Sequence, residues 1–274
     1  MIEIYDHNSW GIAVASISAS LILGHNLWLV VKDRTVERGE RDARVRVEVN
    51  TSDYFPASES AVRPERVADF RLLSAGGSAP ITAYDVEGQS LVALVEPPRG
   101  GACLVALKLH PHPIFLEAEK FTRYIRDEDA TRRVAPRFEE GKTTSPQRES
   151  YTKYAKALIE SGTGDGGVDQ LVAGHRLEIF PQLYPASACG GGRLPVQVLF
   201  DGAPVADLRV SSGCENLGGG YTSHTRTNED GRAWIEITAP GRWFIRAHHI
   251  RPHSDIQAAD WESFWASLTF QIHQ

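Results

Sequence analysis

The sequence predicts a mainly β protein in which two immunoglobulin-like or transthyretin-like β-sandwich domains are joined by a short helical segment. Three observations predict it. Apolar and polar residues alternate with period two in short runs along most of the chain, the pattern of half-buried strands. Turn residues are dense, with Gly 24 and Pro 15 among 274 residues. The period becomes helical only near the middle, between two groups of strand candidates. A chain of this length buries one large or two ordinary cores. The expected division is 1–24 as a leader, 25–113 as the first sandwich, 114–173 as helical connector and linker, and 174–274 as the second sandwich.

The elements follow in order. Trp10 to Gly24 reads "WGIAVASISASLILG", an uncharged run of signal-peptide length and too short to span a bilayer. It implies export, hence a periplasmic or secreted protein of the cell envelope. Glu3 and Asp6 stand where a leader is usually positive, and a buried first strand or helix is the other reading of this run. After Gly24, "HNLWLVVK" sets Leu27, Leu29 and Val31 on one face, and "RVRVEV" sets Val45, Val47 and Val49 inward. "VADFRLLSA", "PITAYDV", "SLVALVE" and "ACLVALKLH" continue as strands between Gly- and Pro-containing turns.

The middle reads differently. "LEAEKFTRYIRDED" carries Ala118, Phe121, Tyr124 and Ile125 at helical spacing. "SPQRESYTKYAKALIESG" reads as a second helix, with Ser145 as N-cap, Pro146 in the first turn, a stripe of Tyr151, Tyr154, Ala155, Leu158 and Ile159, and Gly162 as the stop. "GTGDGGVDQ" lacks the Lys-Ser/Thr ending of a phosphate-binding loop and is a linker. From Gly174 seven more strand candidates follow, from "HRLEIFPQ" to "FWASLTFQI". Asp201 and Asp230 each precede a glycine between apolar runs, so tight hairpins explain them and no catalytic role is assigned.

Charge narrows the partners. The balance of 29 Lys+Arg against 35 Asp+Glu, net -6, with no long basic run, offers nucleic acid no electrostatic footprint. Cys103, Cys189 and Cys214 have no metal-knuckle spacing. Cys189 and Cys214 form a disulfide or remain thiols depending on the compartment. No nucleophile elbow, His-Glu-x-x-His, Walker A or dinucleotide fingerprint occurs, and the carboxylates of "DEDA" and "RFEEGK" read as solvated. No enzymatic activity is expected.

"GHNLWLV", "FTRYIRDE", "GHRLEIFPQLYP", "LPVQVLFDGAPVADLRV" and "TNEDGRAWIEITAPGRWFIRAHHI" resemble the NikM-like nickel-uptake-associated family of exported bacterial proteins, from about His25 to the chain end. That resemblance implies β-sandwich modules joined by a helical segment, and extracytoplasmic binding of nickel or cobalt during uptake with a membrane transport component as partner.

Five histidines are candidate metal ligands. His25, once exposed as a mature N-terminus, offers an amine and an imidazole to a nitrogen-preferring divalent ion. His110 and His112 in "LKLHPHP" share a face with Lys108 if the prolines keep the run extended. His248 and His249 are neighbours on a strand and point apart, so either needs partners from elsewhere. For all of these the ordinary alternative is a hydrogen-bonded or solvated histidine. The expected function is an exported non-enzymatic binding protein for a divalent transition metal, and the alternative is an envelope scaffold or adhesion module that binds protein or polysaccharide.

Overall fold

The computed structural model describes residues 26–35, 44–98, 102–139, 141–160, 167, 171–188 and 191–273. The leader expected over 1–24, together with His25 and Cys189, lies outside them. The strands used below are β1 Asn26–Thr35, β2 Arg44–Ser52, β3 Val67–Ser74, β4 Gly77–Pro80, β5 Tyr84–Glu87, β6 Ser90–Val95, β7 Ala102–Leu109 and β8 His112–Leu116. The helix used below, α1 Ala118–Asp127, and a shorter one at Ala135–Glu139 precede β9 Gln147–Glu160. The remaining strands are β10 Leu177–Pro181, β11 Arg193–Phe200, β12 Ala203–Pro204, β13 Arg209–Cys214, β14 Ser223–Arg226, β15 Arg232–Glu236, β16 Gly241–Pro252 and β17 Trp261–Ile272.

Among the described residues these strands form three sheets. A 9-stranded sheet runs β14-β13-β16-β17-β9-β7-β3-β4, with β8 also on β9. One 4-stranded sheet, β1-β2-β6-β5, covers part of one face; the other, β10-β11-β12 with β15 on β11, covers the opposite face. The mainly β sandwich architecture is therefore present, and strands from both halves of the chain share its middle layer.

The helix expected from Ser145 to Gly162 is instead β9, 14 residues long. Its stripe divides by strand alternation. Tyr154 and Leu158 enter the core under β10, β11 and β15, whereas Ala155, Ala157 and Ile159 enter the core under β1, β2 and β6. A strand buried on both faces reads as a nearly continuous apolar run, and apolar residues then fall at helical spacings without a helix. Local helix propensity is weak beside such burial. β9 pairs in parallel with β17 over Glu149–Ala157 and antiparallel with β7 over Tyr154–Glu160, so its backbone is bonded on both edges. β7 is two-sided in the same way, with Leu104 and Ala106 facing one core and Cys103, Val105 and Leu107 the other.

The expected helix over 116–129 is present as α1, which buries Phe121, Tyr124 and Ile125. They pack with Leu116, Ile250 and Trp261 on the face of the large sheet that carries β1. An aromatic trio ties the same layers elsewhere. Trp28 lies 5.6 Å from Phe55 and 5.1 Å from Phe244, ring centre to ring centre. The Asp201-Gly202 hairpin forms as its sequence requires, with φ 50 and 79 between the paired Phe200 and Ala203.

Two-sided burial forces polar side chains on β9 into the interior. Lys156 donates from Nζ to Glu178 Oε1 at 2.9 Å, both side chains 3% exposed. Glu178 also accepts from the backbone N–H groups of Ala173 and His175 at 2.8 and 3.1 Å. Glu178→Ala should therefore lower stability by about 3–5 kcal/mol, because Lys156 is left buried without its carboxylate. Lys156→Met, which leaves both backbone bonds to Glu178, should cost clearly less. Urea unfolding of the two variants checks the order, and equal costs would contradict the assignment.

Candidate functional site

Two places gather functional side chains: a closed polar cluster beneath α1, and a cavity at one end of β1. The cluster follows from strand alternation. Arg246 and His248 on β16, Ser263 and Trp265 on β17, and Glu149 and Lys153 on β9 share the face that α1 covers, because His248 pairs with Trp265 and Trp265 with Lys153. Tyr124 descends from α1 into their midst. Its hydroxyl lies 2.7 Å from His248 Nε2 and 3.3 Å from Glu149 Oε1. Ser263 Oγ donates to the same Glu149 oxygen, and Trp265 Nε1 donates to Ser263 Oγ at 3.2 Å. Arg246 donates to Glu128 Oε1 at 2.7 Å. Glu128, in the "DEDA" run read as solvated, is thus an ion-pair partner of a buried arginine. Its neighbour on the sheet demanded a carboxylate.

Burial sets the proton states. Glu149 is pushed up to about 7, first by desolvation, with hydrogen bonds from Ser263 and Tyr124 opposing. Its Oε2 has no hydrogen-bond partner among the described residues, which also favours the uncharged acid. Lys153 is pushed down to about 7 by burial, then by Arg246 and Arg66, and its ammonium sits over the Tyr151 and Trp265 rings at 5.3 and 5.8 Å. Burial and Arg246 hold His248 well below the usual histidine range. With the Tyr124 hydroxyl donating to Glu149 Oε1, the neutral ring can donate from Nε2 to the Tyr124 oxygen. Ser263 is spent on Glu149 and His248 on Tyr124, so hydroxyl and imidazole do not address one another.

The remaining predicted ligands are spread out. His249 faces the opposite core from His248, as alternation requires; its Nδ1 is 3.2 Å from Arg133 Nη1 and its ring 4.5 Å from that of Phe200. Burial, Arg133 and Arg251 push it down to about 4. His110 is exposed just after β7, its backbone N–H donating to Arg66 O at 2.8 Å. His112 is half-buried on β8, edge-on to Tyr151 at 5.5 Å. The expected shared face of Lys108, His110 and His112 does not form. The run breaks into two strands around Pro111, so Lys108 pairs with Tyr154 and His112 with Tyr151, positions on opposite faces of β9. Among the described residues no three His, Cys, Asp or Glu side chains gather as a metal site. Cys214 is buried, its Sγ 3.8 Å from Pro240 O.

The cavity arises where β1 lacks a strand neighbour. β1 is an edge of its sheet and crosses β17, whose hydroxyls stand in for a partner strand: Ser267 Oγ donates to Leu27 O and Thr269 Oγ1 to Leu29 O, each at 2.6 Å. The two-residue spacing would next bring position 271 to Val31. That position is Gln271, whose amide turns to Ile272 O at 3.3 Å. There the ladder ends and a cavity of about 220 Å³ opens. Leu29, Val31, Val45, Phe55 and Ile159 line its apolar part, and Lys32, Arg242 and His273 are its basic lining residues. The sequence marks this region only by Ser267, Thr269 and Gln271, polar residues at two-residue spacing in "WASLTFQI".

Comparison with known proteins gives a family and little more. A family model described as a domain of unknown function, DUF4198, matches residues 22–251. The curated proteins contain no match. Among solved structures, native alpha-2-macroglobulin from Escherichia coli, spanning domains MG0, NIE and MG1, is 8% identical over 79% of this chain and 93% of that one, with a TM-score of 0.21. The BSP domain of a biofilm associated protein is 10% identical over 88% of this chain and 51% of that one, with a TM-score of 0.20. Likenesses this slight carry no argument.

The cluster makes a pH prediction. Burial raises the folded Glu149 carboxyl from its ordinary 4.5 to about 7. Its contribution to stability is therefore complete below about 4.5 and is lost as pH rises through about 7. Glu149→Gln keeps the uncharged shape and removes that loss. Relative to the wild type, the variant should gain about 3 kcal/mol between pH 4.5 and pH 8, read from urea unfolding at both values. A difference independent of pH would show that Glu149 does not titrate in this range.

Proposed function

Since this chain belongs to the DUF4198 family, a name that assigns no chemistry, we propose from its geometry that it is a non-enzymatic binding protein whose ligand occupies the cavity beside β1. The observation that carries this reading is the cavity itself, lined by apolar residues together with a few polar and basic ones. Binding sites for small molecules are built in this way. A cavity of roughly 150 Å³ with aliphatic and aromatic walls already accepts benzene, so about 220 Å³ accommodates a somewhat larger guest. The buried cluster under α1 supports the non-enzymatic part, since its hydroxyl and imidazole are committed to other partners.

The resemblance to NikM-like proteins adds a second reading, in which the exported protein holds nickel or cobalt for a membrane transport component. The described donors do not fit a metal by themselves, so this reading rests on His25.

Two outcomes follow. The neutral probe 1-octanol should raise the thermal unfolding midpoint of the wild type in a concentration-dependent way, and should not do so for Val31→Trp, which fills the cavity. An equal effect on both proteins removes the cavity reading. In calorimetry, protein beginning at His25 should take up nickel or cobalt chloride, with loss of the heat in His25→Ala. Absence of heat in the parent protein removes the metal reading and leaves the other standing.

A further inference from the structure

We infer that the cavity beside β1 takes an aliphatic monocarboxylate, with its chain between the sheets and its carboxylate held by Lys32 and Arg242. The inference deepens the binding reading above and rests on it. Among the lining residues the side chains that carry positive charge are Lys32 and Arg242, and none is a carboxylate. Each cation does have an acidic partner outside the lining. Lys32 Nζ lies 3.2 Å from Glu48 Oε2, but Glu48 is also held by Arg46 Nε at 3.0 Å. Lys32 can therefore turn to a ligand while Glu48 keeps an arginine. Its side chain is 38% exposed, so the turn costs little packing. Arg242 gives its Nε and its backbone N–H to Glu215 at 2.8 and 2.9 Å. That leaves the two Nη groups of the guanidinium as further donors.

The ligand's body follows from the walls. Leu29, Val31 and Val45 come from the small sheet, and Ile159 from the face of the large one that β1 covers. A guest beside them lies against hydrocarbon, and a hydroxyl or amide pressed against that wall would lose water without replacement. A single charged end at the cationic side avoids that cost. At about 220 Å³ the space is below the usual range for drug-sized ligands, which points to a short chain, of about six to ten carbons, over a long lipid.

Calorimetry with hexanoate, octanoate and decanoate, beside 1-octanol, tests the assignment on the full protein. Affinity should improve about fourfold for each added methylene until the cavity is full, and octanoate should bind at least tenfold more tightly than 1-octanol. Lys32→Gln should weaken octanoate toward the level of the alcohol and leave 1-octanol unchanged. Lys32 is partly exposed, and its substitution is compatible with the fold. Equal binding of octanoate and 1-octanol to the wild type overturns the carboxylate assignment while the cavity reading survives. Failure of both probes removes the cavity reading together with it. Octanoate binding that persists in Val31→Trp places the ligand elsewhere and overturns the inference.

Discussion

The structure depends on one constraint: β9 must bury both of its faces. It lies between β17 and β7 in the large sheet, with one small sheet above and the other below. Hydrophobic cores on its two sides share a single backbone, so the positions of their walls are coupled through it. Alanine at 155 and 157 on one side, opposite β1, lets that small sheet approach closely; Tyr154 and Leu158 fill the wider space on the other. Packing at interior density leaves little freedom to change one side alone.

The same constraint explains the buried charges. A strand crossing the middle of the molecule cannot alternate toward water, so each polar residue on it needs an interior partner. Lys156 is answered within one sandwich by Glu178. On the other face Glu149 is answered by hydroxyls and Lys153 by aromatic rings, each shifted toward its neutral form. α1 closes over that face and delivers Tyr124 to the acid and the histidine together. The cluster thereby fixes how the helix sits on the sheet, which an apolar contact of similar area would leave less specific.

Most of the fold was legible because half-buried strands leave period-two patterns. "HNLWLVVK", "RVRVEV" and "LPVQVLF" each alternate and each lies in a strand; Leu27, Leu29, Val45, Val47 and Val49 are inside as expected, and Trp28 and Val30 are buried on the other face of β1 as well. "SYTKYAKALIE" was not legible in that way. Its two buried faces superimpose two period-two patterns, and with Ser145 and Pro146 ahead of it the sum imitates a helix. The site was less legible for a related reason. Alternation correctly separated His248 from His249, yet nothing local in "RESY" or "DEDA" tells that Glu149 and Glu128 lie against β16. The divergence of Lys108 and His112 came from a break at Pro111 that an extended reading had smoothed over. The cavity depends on a missing hydroxyl at position 271, which has meaning only once β1 is known to cross β17.

That contact brings the first and last described strands together beside the cavity. β17 is the last strand described, and it lies between β16 and β9, bonded to both. The family match stops at residue 251, within β16, yet without β17 the parallel edge of β9 would be unpaired and Leu268 and Phe270 would be missing from the core. β17 also carries Ser267 and Thr269, which hold β1, the first strand described, in place of a partner strand. The carbonyls of Leu27 and Leu29 are satisfied by those two side chains, and the groups beyond them border the cavity. The opening is thus a property of how first and last strands meet: two hydroxyls fasten β1 to the large sheet, and the glutamine that follows them leaves the space a ligand would fill.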